Sequence, residues 1–440
     1  MLVSFGLSLA SLSLVAFDAP PLLHYRPDHA AIARDLTINF TVSITQQNLD
    51  KLVATAHAVS DPASPRYGSY LSQNEIDALT APAAQDVGTV TAWLSSHGAK
   101  YTLRHADAHV TTSVAVAERL LQTNFRGLIS RSGQQLVRAG TYHLPSTVDA
   151  AVATIFGLHG VPLPTVPPRF SSVAATAVPV TPAVLASTYA VNQTVNRNGP
   201  NIQAVSEFQN QLMAKKDLAT FFKQLVPNAQ PGDEKVFKFV GAPYQTGAGA
   251  EADLDIQYIM GAAPGVKTEF WEYPSTDFCA DLNTYTAQIL SSADGPFVHS
   301  ISYGWQGNLS VVGCKPSDIA VVDANWAKLA ARGISILISS GDGDRRRRLQ
   351  LCELPLALTT TPATCPRIYR WSSYRTRPPA LLLALRVFPC AHLAMGSLPG
   401  PRLQLALALR RTSHATRPTH TPCQRTSVWW RARYSPRLPR

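Results

Sequence analysis

Lysine, asparagine and aspartate are missing altogether from residues 345–440, a stretch with 18 arginines, 12 prolines, two glycines and one acid, Glu353. Without a sustained period of two or 3.6 it offers no face on which a core could form. Its longest apolar run, Ala380 to Leu385, stops at Arg386 and is far too short to cross a bilayer. Arginine, proline, leucine, alanine and serine, almost without the residues of AT-rich codons, are what GC-rich DNA yields when read out of frame or through an intron. The competing readings are an Arg-rich disordered tail for acidic partners, or an unusual domain.

The tail also accounts for the basicity of the chain. The protein has 39 Lys+Arg against 28 Asp+Glu, a formal charge of +11. Removing the tail's 18 arginines and one acid leaves 21 bases and 27 acids in the first 344 residues, a charge of −6. The pI near 9.5 would ordinarily point to nucleic acid or an anionic membrane. The body is mildly acidic, so no nucleic-acid partner and no membrane span is expected.

Cysteine is scarce as well. Of six, only Cys279 and Cys314 fall in the body, and an oxidising compartment would allow them to pair. "MLVSFGLSLASLSLVAF", residues 1–17, is an apolar run of signal-peptide length, with a short buried helix as the alternative. Three sequons follow, at Asn39, Asn192 and Asn308. Together these favour a secreted, lysosomal or vacuolar protein.

What is present falls into two blocks. Residues 18–160 mix strands with helices. "LTINFTVSI" alternates with period two, Leu49, Leu52, Val53 and Ala56 mark a helix face, and Ser72 with Glu75 forms a capping box. This predicts a small α+β unit. A Pro/Ser/Ala linker, 161–181, is expected to be exposed and open to cleavage. Residues 182–344 then alternate strand and helix through "NIQAVSEF", "KTEFWEY", "FVHSIS" and "ISILIS". That pattern predicts an α/β fold, a parallel sheet with helices on both faces and active residues at the carboxyl ends of strands.

In "GAGAEADLDIQYIMG", Glu251 and Asp255 are four apart on a predicted helix, with Leu254, Tyr258 and Ile259 assigned to its core face. An i,i+4 acid pair is most often a solvated face. Buried, it would share a proton and supply a general base active in acid. Asp342 in "SSGDG" would ordinarily cap backbone amides. Kept protonated in an apolar site, it could donate to a developing oxyanion.

"SPRYGSYLS", "TPAVLASTYAV", "EADLD", "SISYG" and "SSGD" occur here in the order found in the sedolisin family of serine-carboxyl peptidases, near its tripeptidyl peptidase branch. The chain resembles that family over residues 20 to 344. The resemblance implies a subtilisin-like parallel sheet behind an activation prosegment. It makes Glu251 the general base, Asp255 the residue that orients it, and Asp342 the oxyanion donor. It also implies calcium, and as substrates the N-termini of peptides or denatured proteins.

Two departures stand out. No "GTS"-type serine follows Asp342, and the tail has no aspartate from which the family's calcium site could be built. The expectation is a peptidase inactive as this chain. The alternative is a non-catalytic protein whose prosegment binds an intact homologous peptidase.

Overall fold

The computed structural model describes residues 13–339 apart from 21, 23, 165–179, 192–194, 198, 248, 274 and 306. Asp342, Asn192 and the tail from 345 lie outside the described residues.

The first unit runs β1 (Leu14–Phe17), β2 (Tyr25–Asp28), β3 (Thr37–Ile44), α1 (Leu49–Ser60), α2 (Gln73–Thr80), α3 (Ala84–Ser96), β4 (Lys100–Arg104) and β5 (Asp107–Ser113). It continues with α4 (Val114–Leu121), β6 (Phe125–Ser130), β7 (Gln135–Ala139), β8 (Tyr142–Pro145), α5 (Ser146–Asp149) and β9 (Val152–Phe156). The main sheet is antiparallel, in the order β4-β5-β3-β9. The alternation of β3 places Phe40, Val42 and Ile44 against Val90 and Leu94 of α3 and Leu120 and Leu121 of α4. The Ser72–Glu75 capping box forms as the sequence predicts, with Ser72 N donating to Glu75 Oε2 at 2.7 Å. Leu14–Phe17, inside the expected leader, pairs with β8, and Phe17 stacks on Tyr142.

The second unit comprises α6 (Pro182–Thr188), β10 (Ile202–Phe208), α7 (Lys215–Leu225), β11 (Lys238–Gly241), α8 (Ala250–Ala262) and β12 (Lys267–Tyr273). After these come α9 (Phe278–Ser291), β13 (Val298–Ile301), α10 (Pro316–Ala331) and β14 (Ser335–Ile338). The strands form one parallel sheet, β11-β12-β10-β13-β14, the α/β architecture the alternation predicts. Ala204 and Phe208 of β10 face α9 and α10, while Val205 between them faces α7 and α8. Such strands are covered on both sides and therefore read as apolar runs. Cys279 and Cys314 form a disulfide from α9 to the start of α10.

The units dock through α9 and α10. Leu52 and Ala56 of α1 and Ile76 of α2 pack on Ala327 and Ala331 of α10. The polar face of the antiparallel sheet is covered too: Ser43 and Thr154 are buried. Thr154 donates to Asp318, and Asn283 donates to Asp107 at 3.1 Å. Arg138 reaches across from β7, donating to Gly160 O at 2.5 Å and to Thr276 O at 2.6 Å.

The stretch after β9 departs from the expected linker. Val161 and Leu163 are buried in the second unit's core, and Val161 bonds both Val312 O and Phe278 N. Residues 157–163 are a strap threaded through the interface. The fit is tight: a Cβ on Gly160 would lie 2.2 Å from the Asp277 carboxyl, and one on Gly313 2.5 Å from His159 O.

Candidate active site

α8 presents Glu251 in its first turn and Asp255 one turn later, as their spacing predicts. The core face of this helix differs from the expected one. Ala252, Ile256 and Met260 are buried, whereas Leu254, Tyr258 and Ile259 are half-buried. The shift follows from Asp253, whose Oδ1 accepts from Ala214 N at 2.8 Å at the start of α7. That bond satisfies a helix-terminal amide and turns Asp253 inward. Burial raises Asp253 to about 6. Glu251 is exposed, and Asp255 is half-buried with its carboxyl well shielded.

Asp255 sits against a strand end. Ser302, the residue after β13, donates from Oγ to Asp255 Oδ2 at 2.5 Å. Burial raises Asp255 to about 6, and the Ser302 hydrogen bond pulls the other way. A third carboxyl, Glu207, stands at the carboxyl end of β10 and is fully buried. Burial pushes it well above the usual carboxylate range, and the charges of Asp255 and Glu251 add to the rise. Its Oε1 has no hydrogen-bond partner among the described residues. Three carboxyls from β10 and α8 thus share one electrostatic environment, which holds Glu207 protonated beside the pair. The sequence reading missed Glu207. Its signal is an acid one residue before the end of the buried strand "IQAVSEF". Ser302 lay inside "SISYG", with nothing in the sequence to say which way its hydroxyl turned.

The next residue, on the opposite face of the sheet, belongs to a second polar cluster. Tyr303 OH lies 2.9 Å from Ser275 Oγ, which donates to Asp281 Oδ2 at 2.9 Å. Burial, then the neighbouring Asp277, raises Asp281 to about 7. A separate chain, Ser206–Tyr285–His299, is sealed inside the sheet and α9 core and has no route to a substrate.

Asp342 falls outside the described residues, so the structure brings together two of the three predicted site residues. Among the described residues no group of three His, Cys, Asp or Glu side chains is arranged to hold a metal ion. The tail, without aspartate, supplies no carboxylate set for calcium. The described residues do not fit that ion. No described helix is long and apolar enough to cross a membrane.

Residues 27–161 match the family model of the pro-kumamolisin activation domain. The chain is 32% identical over 326 residues to tripeptidyl-peptidase 1 of Rattus norvegicus, covering 69% of this chain and 56% of the rat protein. The mouse and human tripeptidyl-peptidases 1 are 31% and 30% identical, with the same shares covered. The chain thus spans little more than half the length of these relatives. With its activation domain at residues 27–161, a parallel sheet behind it and an acid pair on the helix after β11, the chain belongs to the sedolisin family of peptidases.

Proposed function

We propose that the fold is that of an acid-acting serine-carboxyl peptidase, with Glu251 as general base, Asp255 orienting it and Asp342 as oxyanion donor. The observation that carries this reading is the juxtaposition of Glu251, Asp255 and Glu207 at strand and helix ends, with Asp255 raised to about 6. A carboxylate can stay ionised at pH values where an imidazole is already charged, so Glu251 can take the proton of a hydroxyl nucleophile in acid. The substrate class we infer is the free N-terminus of a peptide or denatured protein, a reading with which the relatives' name, tripeptidyl-peptidase 1, agrees. A secretory route fits the disulfide and the exposed sequons at Asn39 and Asn308.

We further infer that the 440-residue chain turns over no peptide. One hydroxyl does lie within reach of the pair, that of Ser302. It is engaged with the orienting Asp255, and no Gly-Thr-Ser serine follows Asp342. The tail is read as aberrant translation. The test is the transcript downstream of codon 344. A product carrying a "GTS" serine should cleave an unblocked tripeptide amide at about pH 4, and Glu251→Ala, Asp255→Ala or Asp342→Ala should each abolish this. Absence of such a sequence in every frame overturns the gene reading. Glu251-dependent turnover by the 440-residue chain overturns its inactivity.

A second reading is favoured by the interface. The activation domain is folded on its own core and docked by Arg138, Thr154 and the strap. It could bind and inhibit an intact relative. Adding the chain to a tripeptidyl-peptidase 1 in acid, with no slowing at excess, excludes this.

A further inference from the structure

The placement of Ser302 follows from strand alternation. Ile301 and Tyr303 belong to the core shared with α9 and α10. Ser302 between them therefore turns to the opposite side of the sheet, where α8 lies. Tyr303 is fixed by stacking on Phe208, with ring centroids 4.2 Å apart, and by its contact with Ser275. The hydroxyl of Ser302 is thus carried by a backbone with little freedom, and it meets Asp255 Oδ2 at 2.5 Å. On this side the charges of Asp255 and of Glu251, one turn back on the same helix, both act on Glu207 of β10. From β13 comes a hydroxyl, not a charge.

We propose that Ser302 is a positioning residue of the acid pair, orienting Asp255 and favouring its ionised form through the hydroxyl hydrogen bond. The physics is direct. A donor aimed at a carboxylate stabilises the charged state, whereas burial works against it. With Oδ2 tied to the strand end, the Asp255 carboxyl is also restrained about its terminal torsion, which is otherwise broad. The proton shared by the three carboxyls is thereby directed away from Asp255 and onto its neighbours. The inference rests on the reading of Glu251 and Asp255 as a coupled acid pair, and the test separates the two.

The experiment uses the full 440-residue chain with ¹³C-labelled aspartate carboxyls, the Asp255 resonance being assigned through Asp255→Asn. In Ser302→Ala the Asp255 titration midpoint should rise by roughly one unit or more, because a hydrogen bond to a charged group is lost. Ser302→Thr, which keeps the hydroxyl, should return it to the parent value. Ser302→Cys, a weaker donor, should fall between and decides the matter if the alanine variant alters the amide spectrum. A midpoint unmoved in both Ser302→Ala and Ser302→Cys overturns the proposal. Separately, with the glutamate carboxyls labelled, Glu251→Gln should lower the Glu207 midpoint by removing a like charge. If it does not, the acid-pair reading fails while the Ser302 result still stands or falls on its own variants.

Discussion

In the activation domain the antiparallel sheet buries Phe40, Val42 and Ile44 under helices, and the residue there that lies almost wholly out of water and is lowered towards the acid range is a histidine, His159. In the peptidase half the parallel sheet is covered by α7 and α8 on one side and α9 and α10 on the other, and what it buries is mostly carboxyls. Glu207, Asp253, Asp255, Asp281 and Asp318 are all raised, with burial the first cause in every case. The two units thus store opposite responses to acid. Buried carboxyls bind protons more tightly folded than unfolded and gain stability as pH falls. A buried neutral histidine does the reverse. His299, held down to about 3, opposes its own unit's carboxyls.

The comparison breaks most visibly at Trp271. Its side chain is fully buried among Tyr285, His299 and α9, and its Nε1 donates to Glu269 Oε2 at 2.7 Å. Trp271→Ala should cost the peptidase half about 3–5 kcal/mol. Amide exchange should show residues of β3, β5 and α4 still protected at denaturant concentrations that open β10 and β12. Simultaneous loss would mean that the activation domain has no stability of its own.

An effect of the same sign and no larger is expected at the disulfide. Cys279 and Cys314 are separated by 35 residues, and a closed loop of that length restricts the unfolded chain by about 4 kcal/mol. Cys279→Ser with Cys314→Ser should lower the denaturation midpoint of the peptidase half by a comparable amount. No change after full reduction would argue that this half is not the limiting unit.

Much of this architecture could be read from periodicity. "KTEFWEY" is β12 residue for residue, and "LTINFTVSI" supplied the strand and its buried face. The fate of the polar face could not be read. Alternation says that Thr41 and Ser43 lie on one side, which in an isolated domain would meet water. Here α9 and α10 cover that side, and Asp107, Asn283, Thr154 and Asp318 pair across it. Hydrogen bonds between segments more than 150 residues apart leave no local pattern. The same limit hid Ser302, whose contact depends on a strand end meeting a helix. For residues 161–163, a composition typical of linkers concealed two buried apolar side chains. Spacing alone placed Glu251 and Asp255 on one helix, but the core face was misassigned because Asp253 points inward to cap α7.

The acid response sharpens the comparison further. His159 is 4% exposed, its Nε2 bonds Gly140 O at 2.8 Å, and its Nδ1 has no partner among the described residues. Burial, with Lys315 and Arg138 nearby, lowers it from 6.5 to about 4. The strap's full stability is therefore present above about pH 6.5 and is lost as pH falls towards 4, by up to about 3 kcal/mol. Over the same range Asp281, at about 7, and Asp318, at about 6, take up protons and stabilise the folded peptidase half. Hydrogen exchange at Val161 should quicken on acidification relative to β12. His159→Gln, which can still donate to Gly140 O, should remove most of that difference. An identical pH profile in the variant would exclude His159 as the source.

The smallest effect tests whether the docking helices of the activation domain are held locally or by their partner. Ser72 caps α2, with Glu75 N donating to its Oγ at 3.3 Å and Glu75 returning the contact to Ser72 N. Losing such a cap costs about 1 kcal/mol in a helix that stands on its own. α2, however, is also pinned from outside. Leu71 N donates to Ala331 O at 2.9 Å, Arg332 donates to Gln73 Oε1 at 3.0 Å, and Ile76 is buried against α10. If the partner dominates, Ser72→Ala should leave the midpoint of the first unit within a few tenths of a kcal/mol, and the loss should emerge only when Arg332→Ala removes the outer clamp. The two substitutions then cost more together than the sum of each alone, the signature of a shared element. Strict additivity would instead mean that α2 is held by its own cap, and that the activation domain contributes this helix to the interface already formed.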